Sequence, residues 1–334
     1  MSPALPKISI VIPVLNRERM IEKAIRSVLE QCYENSELII IDGGSQDKTV
    51  DVIKRYEKHL AYWHSRPDGG AAVGSNIGIE KATGDLIALL MADDWYERGT
   101  LQKIGEALIA HPSADMVTCG GRLVVYDEKT KTYRCVRTFA TARALCLCFF
   151  NICFAASAIC CRFIRKSLYE EIGKYVPFDA TGSPMLSNDK EFLLRAVIHE
   201  AKDIFVDHLG YNYLAHKESA GFGEHNKKNI IRLCEEHQDI AESYLKIQNI
   251  SNKNRLLLRY WYNDQSARLL IYRLLDGNFQ LALKVAKDGL KKYHVIWPLA
   301  FLCTTSMIIT RRGLQLAHQI VNQDCRIVGQ DVRF

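Results

Sequence analysis

Hydrophobic and polar positions change period several times along the first hundred residues. Ile8-Ser9-Ile10-Val11-Ile12 is a β-branched apolar run, and Pro13 is expected to end it. Beyond Asn16-Arg17-Glu18-Arg19, apolar positions fall at Ile21, Ala24, Ile25, Val28 and Leu29, a helical spacing. Leu38-Ile39-Ile40-Ile41 predicts a second strand, followed at once by Asp42-Gly43-Gly44-Ser45, where glycines let the backbone turn tightly or approach a ligand. A helix opening at Asp47-Lys48-Thr49 continues through Val50, Ile53 and Tyr56. Tyr62-Trp63-His64-Ser65 reads as a short strand ahead of Arg66-Pro67-Asp68-Gly69-Gly70. A helix over about 72–82 then leads into the apolar run 84–92, which stops at Asp93-Asp94 before Trp95-Tyr96.

Strands separated by helices predict an α/β fold with a parallel, doubly wound sheet and right-handed crossovers. In that arrangement Pro13, Asp42, Asp68 and Asp93 all fall near carboxyl ends of strands, on the rim where open α/β sheets bind ligands. Three acidic sites on one rim, two beside glycines, describe a pocket for a polar ligand carrying a diphosphate. Adjacent acids at a strand end suit a hard divalent cation; the competing reading of the pair is a solvated turn. No G-x-G-x-x-G follows the first strand, where Pro13-Val14-Leu15-Asn16 stands, and no G-x-x-x-x-G-K-[ST] is present. A classical dinucleotide fold and a P-loop nucleotidase are therefore disfavoured.

Composition alters this picture little. With 334 residues, 48% hydrophobic and 25% charged, the chain has room for two domains, or one with an extension. Eleven cysteines lack C-x-x-C spacing, so reduced thiols in a cytoplasmic protein are expected rather than a zinc site. No charged-then-apolar leader follows Met1. The net charge of +6 permits an anionic partner, while nucleic acid has no support beyond it.

Four segments, in order, resemble the family-2 glycosyltransferases of the GT-A fold: Val11-Ile12-Pro13-Val14-Leu15-Asn16, then Ile41-Asp42-Gly43-Gly44-Ser45-Gln46-Asp47-Lys48-Thr49, then Pro67-Asp68-Gly69-Gly70, then Ala92-Asp93-Asp94-Trp95-Tyr96. A looser match runs through Arg165-Lys166-Ser167-Leu168-Tyr169-Glu170-Glu171-Ile172-Gly173 to Asn188-Asp189-Lys190-Glu191-Phe192-Leu193-Leu194-Arg195. The resemblance implies a Rossmann-like, mostly parallel GT-A sheet with flanking helices over 1–225; beyond it the helical pattern predicts an extension over 226–334. It implies inverting transfer of a sugar from a nucleotide donor, usually a UDP-sugar, to a hydroxyl of a glycan or lipid-linked acceptor.

The same resemblance assigns nucleotide-sugar contacts to Pro13, Asn16, Glu18, Asp42, Asp68, Asn76 and Asp93. Asp93 would be the Mn²⁺ or Mg²⁺ ligand, with His216 as a further metal or diphosphate contact and Lys217 neutralising phosphate. Met91 departs from the family's D-x-D, leaving Asp94 either to compensate or to cap the turn before the next helix. Asp189 aligns with the general base, Glu191 is the reserve, and capping of its helix is the structural alternative for Asp189. The region from Cys146 to Cys161 is expected to approach the acceptor; there Phe154-Ala155-Ala156-Ser157 stands where many relatives carry polar residues. A non-catalytic sugar-nucleotide or polysaccharide-binding module is the alternative that Met91 favours, and a nucleotidyltransferase a more distant one.

From Lys227 onward the pattern is helical. Segments 256–275 and 279–290 suggest a helical pair around Asp276-Gly277-Asn278. The apolar run 295–309 lies between Lys291-Lys292 and Arg311-Arg312. Too short for a span and broken by Pro298, it reads as a buried helix or as a monotopic anchor on the inner membrane face.

Overall fold

The computed structural model describes residues 4–155, 157–216 and 226–293, together with 297–298, 301–302 and 304–305. The chain divides into two compact units, Met1–Leu214 and Ala215–Phe334.

In the first unit, β1 (Ile8–Val14), β2 (Ser36–Asp42), β3 (Tyr62–Ser65) and β4 (Leu86–Leu89) pair in parallel in the order β3-β2-β1-β4. Their connections are α1 (Ile21–Leu29), α2 (Thr49–Arg55) and α3 (Ala71–Lys81). Every residue of β1 and β4 is buried, as expected of strands covered on both faces. Helix α1 turns Ile21, Ala24, Ile25 and Val28 onto that core.

Pro13 does not end β1, which runs one residue further. Val11 O accepts from Leu90 N on the β4 side, whereas Val14 O accepts from Gly43 N on the β2 side. With a strand period of two, Pro13 faces the β4 side, and that ladder has already stopped at Val11 opposite Leu89. The missing N–H is not needed there.

Beyond β4 the sheet changes character. β5 (Trp95–Tyr96), β6 (Met116–Asp127), β7 (Thr132–Phe139), β8 (Arg162–Arg165) and β9 (Asp203–Ala215) extend it in the order β4-β8-β6-β9-β5. Pairings β4–β8, β6–β8, β5–β9 and the β6–β7 hairpin are all antiparallel. Around them lie α4 (Thr100–Ala110), α5 (Ala142–Leu145), α6 (Phe149–Phe154), α7 (Lys166–Ile172) and α8 (Asn188–Ile198).

The second unit contains α9 (Asn226–Leu245), α10 (Asn252–Leu275) and α11 (Phe279–Tyr293). Ser251 caps α10 by accepting from Asn254 N at 3.2 Å. Of the apolar run 295–309, Trp297 and Thr304 are buried, whereas Leu302 is exposed. Trp297 donates its indole N–H to Ser266 at 2.9 Å and lies so close to Gly289 that a Cβ there would sit 2.2 Å from its ring nitrogen. Thr304 donates to Asp264 at 2.9 Å. Among the described residues no helix is long and apolar enough to cross a membrane.

Candidate active site

The rim at the ends of β1 and β2 is two loops stitched together. Asn16 takes a left-handed conformation, φ 52°, which asparagine tolerates better than most residues. Its N–H donates to Ser45 Oγ at 2.8 Å, and its Oδ1 accepts from Gln46 N at 2.8 Å. Glu18 repeats the exchange, donating its N–H to Asp47 at 3.1 Å and accepting from Lys48 N at 3.0 Å. Arg17 N–H donates to Thr49 Oγ1 at 2.8 Å. Both side chains assigned to the nucleotide thus bind the neighbouring loop.

Asp42 is fully buried. Its carboxylate accepts from the N–H groups of Gly44 and Ser45, at 3.1 and 2.9 Å, and from the hydroxyls of Ser45 and Ser65, at 2.5 and 2.6 Å. It therefore shapes the β2–α2 loop from beneath. Asp68 stands differently. Its carboxylate accepts from Gly70 N at 2.9 Å and lies between Gly43 and Gly74. A Cβ would come within 3.1 Å of that carboxylate at Gly43 and within 2.8 Å at Gly74, so both glycines leave the room that it occupies. Pro13 lines the same place, 3.4 Å from the Gly74 position. Asn76 is two residues further along α3 and so on another face. It exchanges both amide groups with Tyr175, donating to its carbonyl at 2.8 Å and accepting from its N–H at 3.0 Å.

The two acids after β4 part company. Asp93 keeps a side chain that is 19% exposed and lies 3.7 Å from the Arg17 guanidinium. Asp94 is buried, accepting from Tyr211 Oη at 2.6 Å and Leu214 N at 2.8 Å. Burial, then the neighbouring Asp93 charge, push the Asp94 carboxyl well above the usual range. Asp94 neither caps α4 nor offers the carboxylate missing at Met91; it pins β9 to the end of β4. Tyr211 Oη also accepts from Met91 N at 3.2 Å. Among the described residues no group of three His, Cys, Asp or Glu could hold a metal ion.

Asp189 opens α8, accepting from Lys190 N at 2.7 Å and from the Ser157 hydroxyl. Lys190 donates to the carbonyls of Ile152 and, at 2.9 Å, Ala155; burial holds its amine below the usual lysine range while Asp189 opposes the shift. Segment 152–157 is thereby fastened to α8. Arg162 also holds it, donating to Ser157 O at 3.4 Å while it is buried with Asp203 and bonded to Thr118 at 3.0 Å and Leu145 O at 2.7 Å. Burial raises the Asp203 carboxyl and Arg162 pulls against that rise. Glu191, the reserve base, is committed to Arg195 at 2.8 to 3.1 Å. Burial first, and then the charges of Asp94 and Asp189, raise the buried Cys160 thiol, with the Tyr211 hydroxyl opposing the rise. His216 directly follows β9 and belongs to the second unit, while Lys217 lies outside the described residues.

Residues 9–173 match the family model "Glycosyl transferase family 2". They form a family-2 glycosyltransferase domain. The domain is similar to an uncharacterized glycosyltransferase of Haemophilus influenzae, 40% identical over 102 residues, covering 30% of this chain and 41% of the relative. It is also similar to a PGL/p-HBAD biosynthesis glycosyltransferase of Mycobacterium bovis, 31% identical over 176 residues, covering 52% of this chain and 64% of the relative. The chain thus spans less than two thirds of these curated relatives. Among solved structures, S. aureus TarS 1-349 superposes with a TM-score of 0.54 at 14% identity, covering 94% of this chain and 83% of TarS. The mannosyltransferase PcManGT of Pyrobaculum calidifontis superposes with a TM-score of 0.56 at 15% identity, covering 92% and 87%. The fold is GT-A.

Sequence reading missed the roles of Arg17, Tyr211, Ser157 and Lys190. Arg17 stands inside the polar segment Asn16-Arg17-Glu18-Arg19, where its charge signals a counter-charge for a rim acid. Ser157 and Lys190 carry no local signal, since their partners lie 32 to 38 residues away.

Proposed function

We propose that this chain transfers a glycosyl group from a nucleotide-sugar donor to a hydroxyl of a glycan or lipid-linked acceptor, with inversion. The observation that carries the reading is the division of labour between the rim acids: Asp94 is consumed by the fold, and Asp93 remains presented beside Arg17. The solved neighbours support the donor class, TarS being described in complex with UDP-GlcNAc and PcManGT with GDP-Man and Mn²⁺. A UDP-sugar is the donor we favour.

In this reading Asp68, framed by Gly43, Gly74 and Pro13, meets the nucleoside. Asn16, Glu18 and Asp42 serve it through the loops that they order. A single partly exposed carboxylate at this rim fits an ion of the Mg²⁺ or Mn²⁺ kind, which commonly takes one or two protein carboxylates and completes its shell with substrate phosphates and water. Asp93 would hold that ion, whose chemistry is to neutralise charge on the departing diphosphate. Arg17 supplies a second positive charge to the same group. Asp189 accepts the proton of the attacking hydroxyl, held in place by Ser157.

Asp189→Asn should abolish transfer, a loss of at least about 10²-fold, while titration calorimetry shows UDP binding nearly intact. Substantial residual turnover would refute the base assignment. The competing reading, a binding module without chemistry, is favoured by Met91. Donor-hydrolysis assays across UDP-, GDP- and dTDP-sugars separate the two, since that module would bind UDP and hydrolyse none of them.

A further inference from the structure

Helix α11 bears two apolar faces, of which only one is buried. Ala282 and Gly289 turn inward, toward Trp297. Phe279, Leu283 and Leu290 are exposed by 69%, 56% and 45%. At about 100° per residue these three fall within about 40° of one another, so they form a single outward stripe. Leu274 and Leu275, also exposed, end α10 just before the Gly277 turn and lead into Phe279. Beside the stripe run the exposed Lys284, Lys287 and Lys291, about 80° to 140° around the helix from Phe279.

We propose that the α11 stripe, with the end of α10, lies on the surface of an anionic lipid bilayer. Apolar side chains would enter the boundary between headgroups and acyl chains while the lysine stems reach outward to lipid phosphates. At 15 residues the helix is about 22 Å long, suited to lying in the interface plane rather than spanning. Charge selects this occupant over two others. A second copy packed face to face would set lysines against lysines. The chain's own residues 306–334 carry Arg311, Arg312, Arg326 and Arg333 against Asp324 and Asp331, the same sign as the helix. A lipid leaflet rich in phosphate is complementary, and each nearby lysine adds to the attraction.

The inference uses no part of the transfer reading, and its test needs no donor. The full chain is floated with phosphatidylcholine vesicles, with and without phosphatidylglycerol. It should float with the anionic vesicles and remain behind with the neutral ones. The paired substitutions Phe279→Glu with Leu283→Glu, and Lys284→Glu with Lys287→Glu, should each lower partitioning about tenfold or more. All four side chains are exposed, so circular dichroism melts should stay put. Equal partitioning by the variants, or equal flotation with neutral vesicles, overturns the proposal. So does light scattering that shows a dimer which these substitutions split, without vesicle binding.

Discussion

Along the parallel half of the sheet, rim side chains are held by neighbours only a loop away. Asp42 bonds to residues two and three positions on, Asp68 to Gly70, and Asn16 and Glu18 to the adjoining loop. In the antiparallel half the ties are long and buried. Arg162 reaches Asp203 across 41 positions, and Asp94 reaches Tyr211 across 117. The first half positions ligand-facing groups by backbone geometry, whereas the second positions Asp189 and segment 152–157 by a few charged side chains inside the fold. Damage should therefore stay local in one half and spread in the other.

The strongest way to break that contrast is at Arg162. Arg162→Met strands Asp203 in the interior and should cost about 3–5 kcal/mol in urea unfolding; adding Asp203→Leu should recover much of it. A loss below about 1 kcal/mol would mean that the antiparallel half does not depend on this pair. Next come the adjacent acids. Asp94→Ala removes the carboxylate that accepts from the Tyr211 hydroxyl and from Leu214 N–H, and should cost about 1–3 kcal/mol. Asp93→Ala should move stability by no more than about 0.5 kcal/mol while abolishing transfer. Equal destabilisation of both would erase the distinction drawn between them.

The smallest effect concerns Lys23 on α1. Its Nζ sits 2.9 Å from the ring centre of Trp95 and 3.3 Å from that of Tyr133. Burial lowers its amine from 10.5 to about 8, with Glu97 opposing. Between those values the unfolded chain holds a proton that the folded chain has released, so stability should rise with pH from about 8 toward 10.5. Lys23→Met should remove that part of the rise in matched melts. An unchanged slope would show the amine to be ordinary.

The parallel half was legible because its signals are local. Strand runs, helical spacing and glycines after Asp42 and Asp68 can be read within a window, and the four family-like segments lie there. The antiparallel half gave few such signals. β6 and β8 are neighbours through pairing that no window contains, and the partners of Ser157 and Lys190 are set by topology. Even in the legible half, sequence supplied residue types rather than their exposure. Asp93 and Asp94 look equivalent on paper; the arrival of Tyr211 from β9 separates them. The resemblance assigned Asn76 a donor contact, and no local signal announced that its amide bonds the backbone of Tyr175. Pro13 looked like a terminator because nothing local reveals on which side a ladder has already ended.

The exchange between the loops after β1 and β2 bears on how such a site could be re-engineered. Leu15 to Glu18 transplanted alone would arrive without Ser45, Gln46, Asp47 and Lys48, which complete its hydrogen bonds. The portable module is the pair of loops together. Libraries that diversify one loop while freezing the other would mostly sample unfolded rims rather than new donor preferences.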